Sequence, residues 1–184
     1  IKCDPGQVFV AQTGVIGEPV VVERITDNLP SLYNDMGSDW AAAADAICTT
    51  DTYPKGATRT AELGGKTVTI AGIAKGSGMI APDMATMLGF IFTDAAIPKD
   101  ILQSILMESA DLSFNAITVD SDTSTSDTVL AFATGKADND LGTDISGLTR
   151  AFQDVMLDLA HQIVRDGEGA TKFVEITVSG AENN

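Results

Sequence analysis

Histidine is nearly missing from this chain, and the shortage removes much of enzyme chemistry. His161 is the sole histidine, and Cys3 and Cys48 are the only cysteines. A zinc centre wants three or four such ligands, and a disulfide scaffold wants several cysteine pairs. So few cysteines, with no C-x-x-C pair, fit a reducing cytoplasm, which is the expected location. A Ser-His-Asp or Cys-His arrangement would have to use His161. On a helix that side chain lies about 200° round from Leu159, on the face turned from the core. Cations are scarce as well: 11 Lys and Arg stand against 26 Asp and Glu, for a net charge of −15. That balance argues against nucleic acid or an anionic membrane as partner. No apolar run approaches the roughly 20 residues that cross a bilayer, and no signal-peptide pattern is visible. The chain opens on Ile1, not Met, so it is expected to be processed or cut from something longer.

What is present is a foldable mixture. Hydrophobic residues make up 44% of 184, enough for one large or two small domains burying roughly 70% of the unfolded surface. Strands are expected at residues 7–11, 20–22, 114–119, 129–133 and 173–178. A short helix runs from Leu29 towards Gly37. Ser38 reads as N-cap, with Asp39 in the first turn, of an alanine-rich helix reaching Cys48 and stopped before Pro54. Gly64-Gly65 signals a hairpin over residues 61–73. Pro98 suits the first turn of a helix whose stripe is Ile101, Leu102, Ile105, Leu106, Ser109 and Leu112. A long helix spans 146–165, with Leu148, Phe152, Val155, Leu159 and Ile163 on one face. The fold class is α/β, a mixed α+β arrangement of sheets layered with helices.

The most informative stretch is Lys75-Gly-Ser-Gly-Met-Ile-Ala-Pro-Asp-Met-Ala-Thr86. A glycine-rich turn, a Pro82-Asp83 turn and a threonine lead into a short buried strand, Met87 to Phe92. A hydroxyl is thereby set at a strand mouth behind a constrained loop. Thr86 is also simply a good strand former. As a nucleophile it would lack histidine, but a chain terminus carries its own base, an α-amine of pKa near 8. Thr86 gains that amine if the Ala85–Thr86 bond is cut, by attack of its hydroxyl on the preceding carbonyl and hydrolysis of the ester. The oxyanion needs donors, for which Thr13-Gly14 is the best candidate, although Gln12 to Gly17 also suits a plain turn. Lys75 suits a substrate carboxylate. Thr49 to Thr52 fits a polar pocket or a solvated loop. Asp120 to Asp127 fails as an EF-hand, having Thr125 in place of the glycine and Ala131 in place of the glutamate, and reads as a polar turn.

Six segments, in order, resemble the ornithine acetyltransferase (glutamate N-acetyltransferase) family of arginine biosynthesis. They are residues 12–17 (QTGVIG), 49–55 (TTDTYPK), 75–95 (KGSGMIAPDMATMLGFIFTDA), 113–120 (SFNAITVD), 122–127 (DTSTSD) and 165–172 (RDGEGATK). The resemblance implies an N-terminal-nucleophile-like fold that cleaves itself between Ala85 and Thr86. Residues 1–85 would end the α chain and residues 86–184 begin the β chain. It implies Thr86 as acetyl acceptor, Thr13 and Gly14 as oxyanion hole, and Thr52, Lys75, Thr86 and Glu168 as substrate contacts. The implied ping-pong reaction moves acetyl from N-acetylornithine to glutamate with no cofactor, acetyl-CoA being a further donor in some members. The assembly implied is a heterotetramer of α and β chains, or larger. Two departures stand out. Asp83 replaces the family's usual Asn, and family members extend past both ends, so a fragment lacking their C-terminal substrate-binding Asn and Thr is expected. Rival readings are a self-processing aminopeptidase or amidase and an inactive fragment.

Overall fold

The computed structural model describes residues 3–80 and 86–180. Three short helices, α1 (Glu23–Thr26), α2 (Leu29–Asn34) and α3 (Trp40–Ala46), precede the sheet. Asp39 caps α3: its carboxylate accepts the Ala42 N–H at 3.0 Å, so the cap falls one residue after the expected Ser38. The helix stops at Ala46, leaving Cys48 half-buried just beyond it.

Gly64 and Gly65 then fold β1 (Lys55–Leu63) onto β2 (Lys66–Lys75), antiparallel along their whole lengths. Both glycines have positive φ, 56° and 77°, the paired left-handed steps of a tight hairpin turn. β3 (Leu88–Thr93) runs antiparallel to the second half of β2. Pro98 sits at the N-cap of α4 (Lys99–Asp111), one position before its expected place. This helix carries the chain over to β4 (Thr128–Ala133), which pairs parallel with β3. The order is β1-β2-β3-β4. The mixed α/β class is as expected.

α5 (Ser146–Arg165) lies across β1 and β2 beside α4. Its Leu148, Phe152, Val155, Leu159 and Ile163 are all fully buried, against Val68, Ile70 and Ala74 of β2 and Ile91 of β3. At Gly72 the helix approaches so closely that a Cβ would stand 2.9 Å from Leu159 and 2.8 Å from Ile91. Burying a side chain of this size is worth roughly 1.5–3 kcal/mol, so this face holds the sheet together. The opposite face carries an aromatic group: Phe92 stacks on its ladder neighbour Phe132 at 5.3 Å, with Trp40 edge-on at 4.9 Å.

Four expected strands are corrected. Residues 7–11, 20–22 and 173–178 have no ladder partner among the described residues, and Val10, Ile176 and Val178 are more than three-quarters exposed. An apolar or alternating pattern shows a segment able to bury a face; a strand also needs a neighbour for its N–H and C=O groups. Residues 114–119 instead begin with a 3-10 turn, Phe114–Ala116, that drops the Phe114 ring against Gly89. Phe152→Ala is expected to cost about 3–5 kcal/mol, whereas Met107→Ala, on the exposed side of α4, should stay within about 0.5 kcal/mol. Denaturant unfolding checks both.

Candidate active site at one end of the sheet

The hairpin reversals bring five chain segments to the same end of the sheet. Lys55 at the start of β1 pairs with Ala74, and Lys75 at the end of β2 pairs with Leu88. Leu88 in turn pairs with Thr128. The last turn of α5 reaches the same end, where the Gln162 side chain bonds both the N–H and the C=O of Gly56. The Tyr53 hydroxyl donates to the Gln162 carbonyl at 2.9 Å.

Lys55 is the centre of this region. It is wholly buried, and its ammonium bonds Asp51 and Asp166, each at 2.6 Å. Asp51 also accepts the N–H groups of Gly76 (2.7 Å) and Thr49 (3.1 Å). Asp166 accepts the Thr52 N–H at 2.9 Å and the Thr52 hydroxyl. Burial pushes both carboxyls up, but the Lys55 bond and the N–H donors outweigh it and hold each below its ordinary value. For Lys55, burial pushes down and the two carboxylates more than offset it. Lys75 differs: it too is buried, and among the described residues its one hydrogen bond is to the Thr49 hydroxyl at 3.0 Å. Burial lowers its pKa, opposed by the field of Asp51. Such an ammonium gains most from an anion brought beside it.

The glycine-rich loop is held from three directions. Asp120 accepts the N–H groups of Met79 and Ile80 at 2.5 and 2.9 Å. The Ile80 carbonyl accepts the Val119 N–H and the Thr118 hydroxyl. The Ser77 carbonyl accepts the Glu168 N–H at 2.7 Å, and the Ser77 and Thr50 hydroxyls are 3.2 Å apart. Gly78 leaves room for the Glu168 carboxyl, whose atoms would lie 2.8–3.0 Å from any Cβ there. Where the chain resumes, half-buried Thr86 has φ = +28°. For a β-branched residue that is a genuine outlier, a conformation costing about 1–3 kcal/mol. The next N–H, of Met87, donates to Asp127 at 2.7 Å.

Thr52, Lys75, Thr86 and Glu168, expected as substrate contacts, are therefore all at this end. Thr13 is half-buried and Gly14 exposed, and neither hydrogen-bonds another described residue. Ala85 and Asp83 lie outside the described residues. Sequence reasoning missed Asp51, Lys55, Asp120, Asp127 and Asp166. The Asp51–Lys55 spacing of four was a signal, weakened because no helix was expected there; the others are long-range partners in polar loops. Among the described residues no group of three or more His, Cys, Asp or Glu is placed to hold a metal ion.

Removing Lys55 leaves two buried carboxylates unpaired, so Lys55→Met is expected to cost about 3–5 kcal/mol near neutrality. The sign with pH follows. In the wild type the lowered carboxyl pKa values give stability that is complete above about pH 4 and lost as pH falls through the folded values. The raised Lys55 pKa gives stability that is complete below about pH 10 and lost above its folded value. Without the ammonium the carboxyl pKa values rise above their unfolded ones, so the deficit of Lys55→Met shrinks as pH falls towards 4. Urea unfolding of both proteins at pH 4 and 7 measures this.

Residues 1–184 match the profile of the ArgJ family. The arginine biosynthesis bifunctional protein ArgJ of Gluconobacter oxydans is 52% identical over 190 residues, covering 100% of this chain and 45% of that protein. The protein of the same name from Ruegeria pomeroyi is 58% identical over 183 residues, covering 97% of this chain and 44% of that one. The crystal structure of ArgJ from Bacillus halodurans shares 47% identity at a TM-score of 0.46, over 47% of this chain and 43% of that one. The chain thus spans about half the length of the curated relatives it matches. Matched along its whole length, it belongs to the ArgJ family.

Proposed function

We propose that this chain carries the nucleophile and part of the substrate site of an ornithine acetyltransferase that processes itself before Thr86. Cleavage divides it into residues 1–85 and 86–184. Thr86, with its new amine as base, takes acetyl from N-acetylornithine; ornithine leaves and glutamate accepts the group. Acetyl-CoA is a further donor of the same chemistry. The observation that carries this reading is the backbone of Thr86. Its strained φ is the torsion that includes the carbonyl carbon of residue 85, so breaking the Ala85–Thr86 bond abolishes the strained torsion itself. The cut also costs the sheet nothing, because β2 and β3 stay paired through their own ladder.

Lys75 meets the α-carboxylate that donor and acceptor share, a role suited to a buried ammonium whose hydrogen-bond partner among the described residues is one neutral hydroxyl. Glu168 meets an amino group of the substrate, and Thr52 lines the same end of the sheet. The Gly14 N–H and the Thr13 hydroxyl hold the oxyanion, an assignment supported by the family's motif. The working assembly is α and β chains of one precursor as a heterotetramer or larger, acting in the cytoplasm. Among the described residues no helix is long and apolar enough to cross a membrane.

Two measurements test this in the purified protein. Thr86→Ala should remain uncut and take up no acetyl label from N-acetylornithine, while Thr86→Ser, which keeps the hydroxyl, should be cut and labelled; a cleaved Thr86→Ala overturns the nucleophile. Lys75→Ala should raise the KM for glutamate at least about tenfold, the value of one charge-assisted contact; an unchanged KM removes Lys75 from the carboxylate site. Deacetylation that runs at full rate without glutamate would indicate an amidase instead.

A further inference from the structure

Self-cleavage has a proton problem that acyl transfer does not. Once Thr86 is a terminus its amine serves as base, but before the cut that nitrogen is an amide and accepts no proton at neutral pH. The single histidine is engaged elsewhere, on α5 with its ring edge-on to Phe173 at 5.5 Å. The uncut chain therefore needs another base beside residue 86.

The start of β4 holds one. Pairing of Leu88 with Thr128 sets Asp127 beside Met87. Asp127 Oδ1 accepts the Met87 N–H at 2.7 Å, the N–H of the peptide bond that follows Thr86. Its Oδ2 is buried and has no hydrogen-bond partner among the described residues. A buried oxygen left without a donor is a standing cost to the fold, and such cases call for an explanation. Among the described residues, Lys75, arriving from β2 opposite Leu88, is the charged side chain that acts on Asp127.

We propose that Asp127 is the base of the self-cleavage step, its free oxygen taking the Thr86 hydroxyl proton directly or through one water. The inference rests on the Thr86 reading above. As Oγ1 bonds the carbonyl carbon of residue 85, the proton passes to Asp127. The C–N bond then breaks, its electron pair stays on the Thr86 nitrogen, and Asp127 returns the proton there. The product is an ester between residue 85 and the Thr86 side chain. Water hydrolyses it to a carboxylate on residue 85 and a free hydroxyl and amine on Thr86. Burial pushes the Asp127 carboxyl up to about 6, against the Met87 N–H and the field of Lys75. A base near that value is far better matched to neutral pH than an ordinary carboxylate near 3.9.

The test starts from full-length precursor diluted out of denaturant at a series of pH values, with cleavage followed by intact mass. Wild-type cleavage should rise about tenfold per pH unit below 6 and level off above it, a readout that needs no variant. Asp127→Asn keeps an acceptor for the Met87 N–H, so the strand start is preserved. It should cleave at least about 100-fold more slowly and lose the inflexion near pH 6. Asp127→Glu should restore part of the rate and the inflexion. Near-UV circular dichroism verifies that each variant has folded. Folded Asp127→Asn that cleaves at the wild-type rate, or more slowly with the inflexion intact, overturns the proposal while the nucleophile stands. Cleavage of Thr86→Ala, or a wild type that stays whole at every pH, overturns the nucleophile and this proposal with it.

Discussion

One buried ammonium organises the end of the sheet that carries the proposed site. Lys55 leaves water entirely to bond Asp51 and Asp166, an arrangement favourable only because both carboxylates are further satisfied by N–H and hydroxyl donors. Those donors come from residues 49, 52 and 76, and the carboxylates from the loop after α3 and the end of α5. The loop bearing Thr52, the turn following Lys75 and the helix terminus leading to Glu168 are thus tied to one point.

The network also divides the labour between two lysines. Lys55 has its full set of anionic partners and is structural. Lys75 sits nearby with one neutral hydroxyl as its hydrogen-bond partner among the described residues, its charge opposed by burial. A buried cation short of partners is poised for a ligand in a way that a saturated one is not. On the other side of the β2–β3 pairing lie the strained backbone of Thr86 and a buried Asp127 oxygen with no hydrogen-bond partner among the described residues. Such imperfections are unfavourable for folding, and proteins hold them where chemistry is done.

The sheet hairpin, β3, β4 and α5 were legible because each carried a local signal: Gly64-Gly65, short apolar runs and a stripe of five residues at helical spacing. Residues 7–11, 20–22 and 173–178 carried the same apolar signal but have no ladder partner among the described residues, which no local pattern reveals. At the site, Thr86 and Lys75 could be read from their loop, since glycine and proline flanking a lone hydroxyl or cation is a short-range feature. Thr13, Gly14, Thr52 and Glu168 came from motif likeness, with Thr13-Gly14 suggested also by its turn. Asp120, Asp127 and Asp166 could not be read, because among 26 acidic residues a carboxylate acquires meaning only from what the fold sets against it.

The central claim is that Thr86 becomes a chain terminus. N-terminal sequencing of the purified protein, with intact mass on the same sample, addresses it most directly. A second terminus reading Thr-Met-Leu-Gly-Phe is the result predicted. A single uncut chain that nonetheless exchanges acetyl groups between N-acetylornithine and glutamate would contradict it.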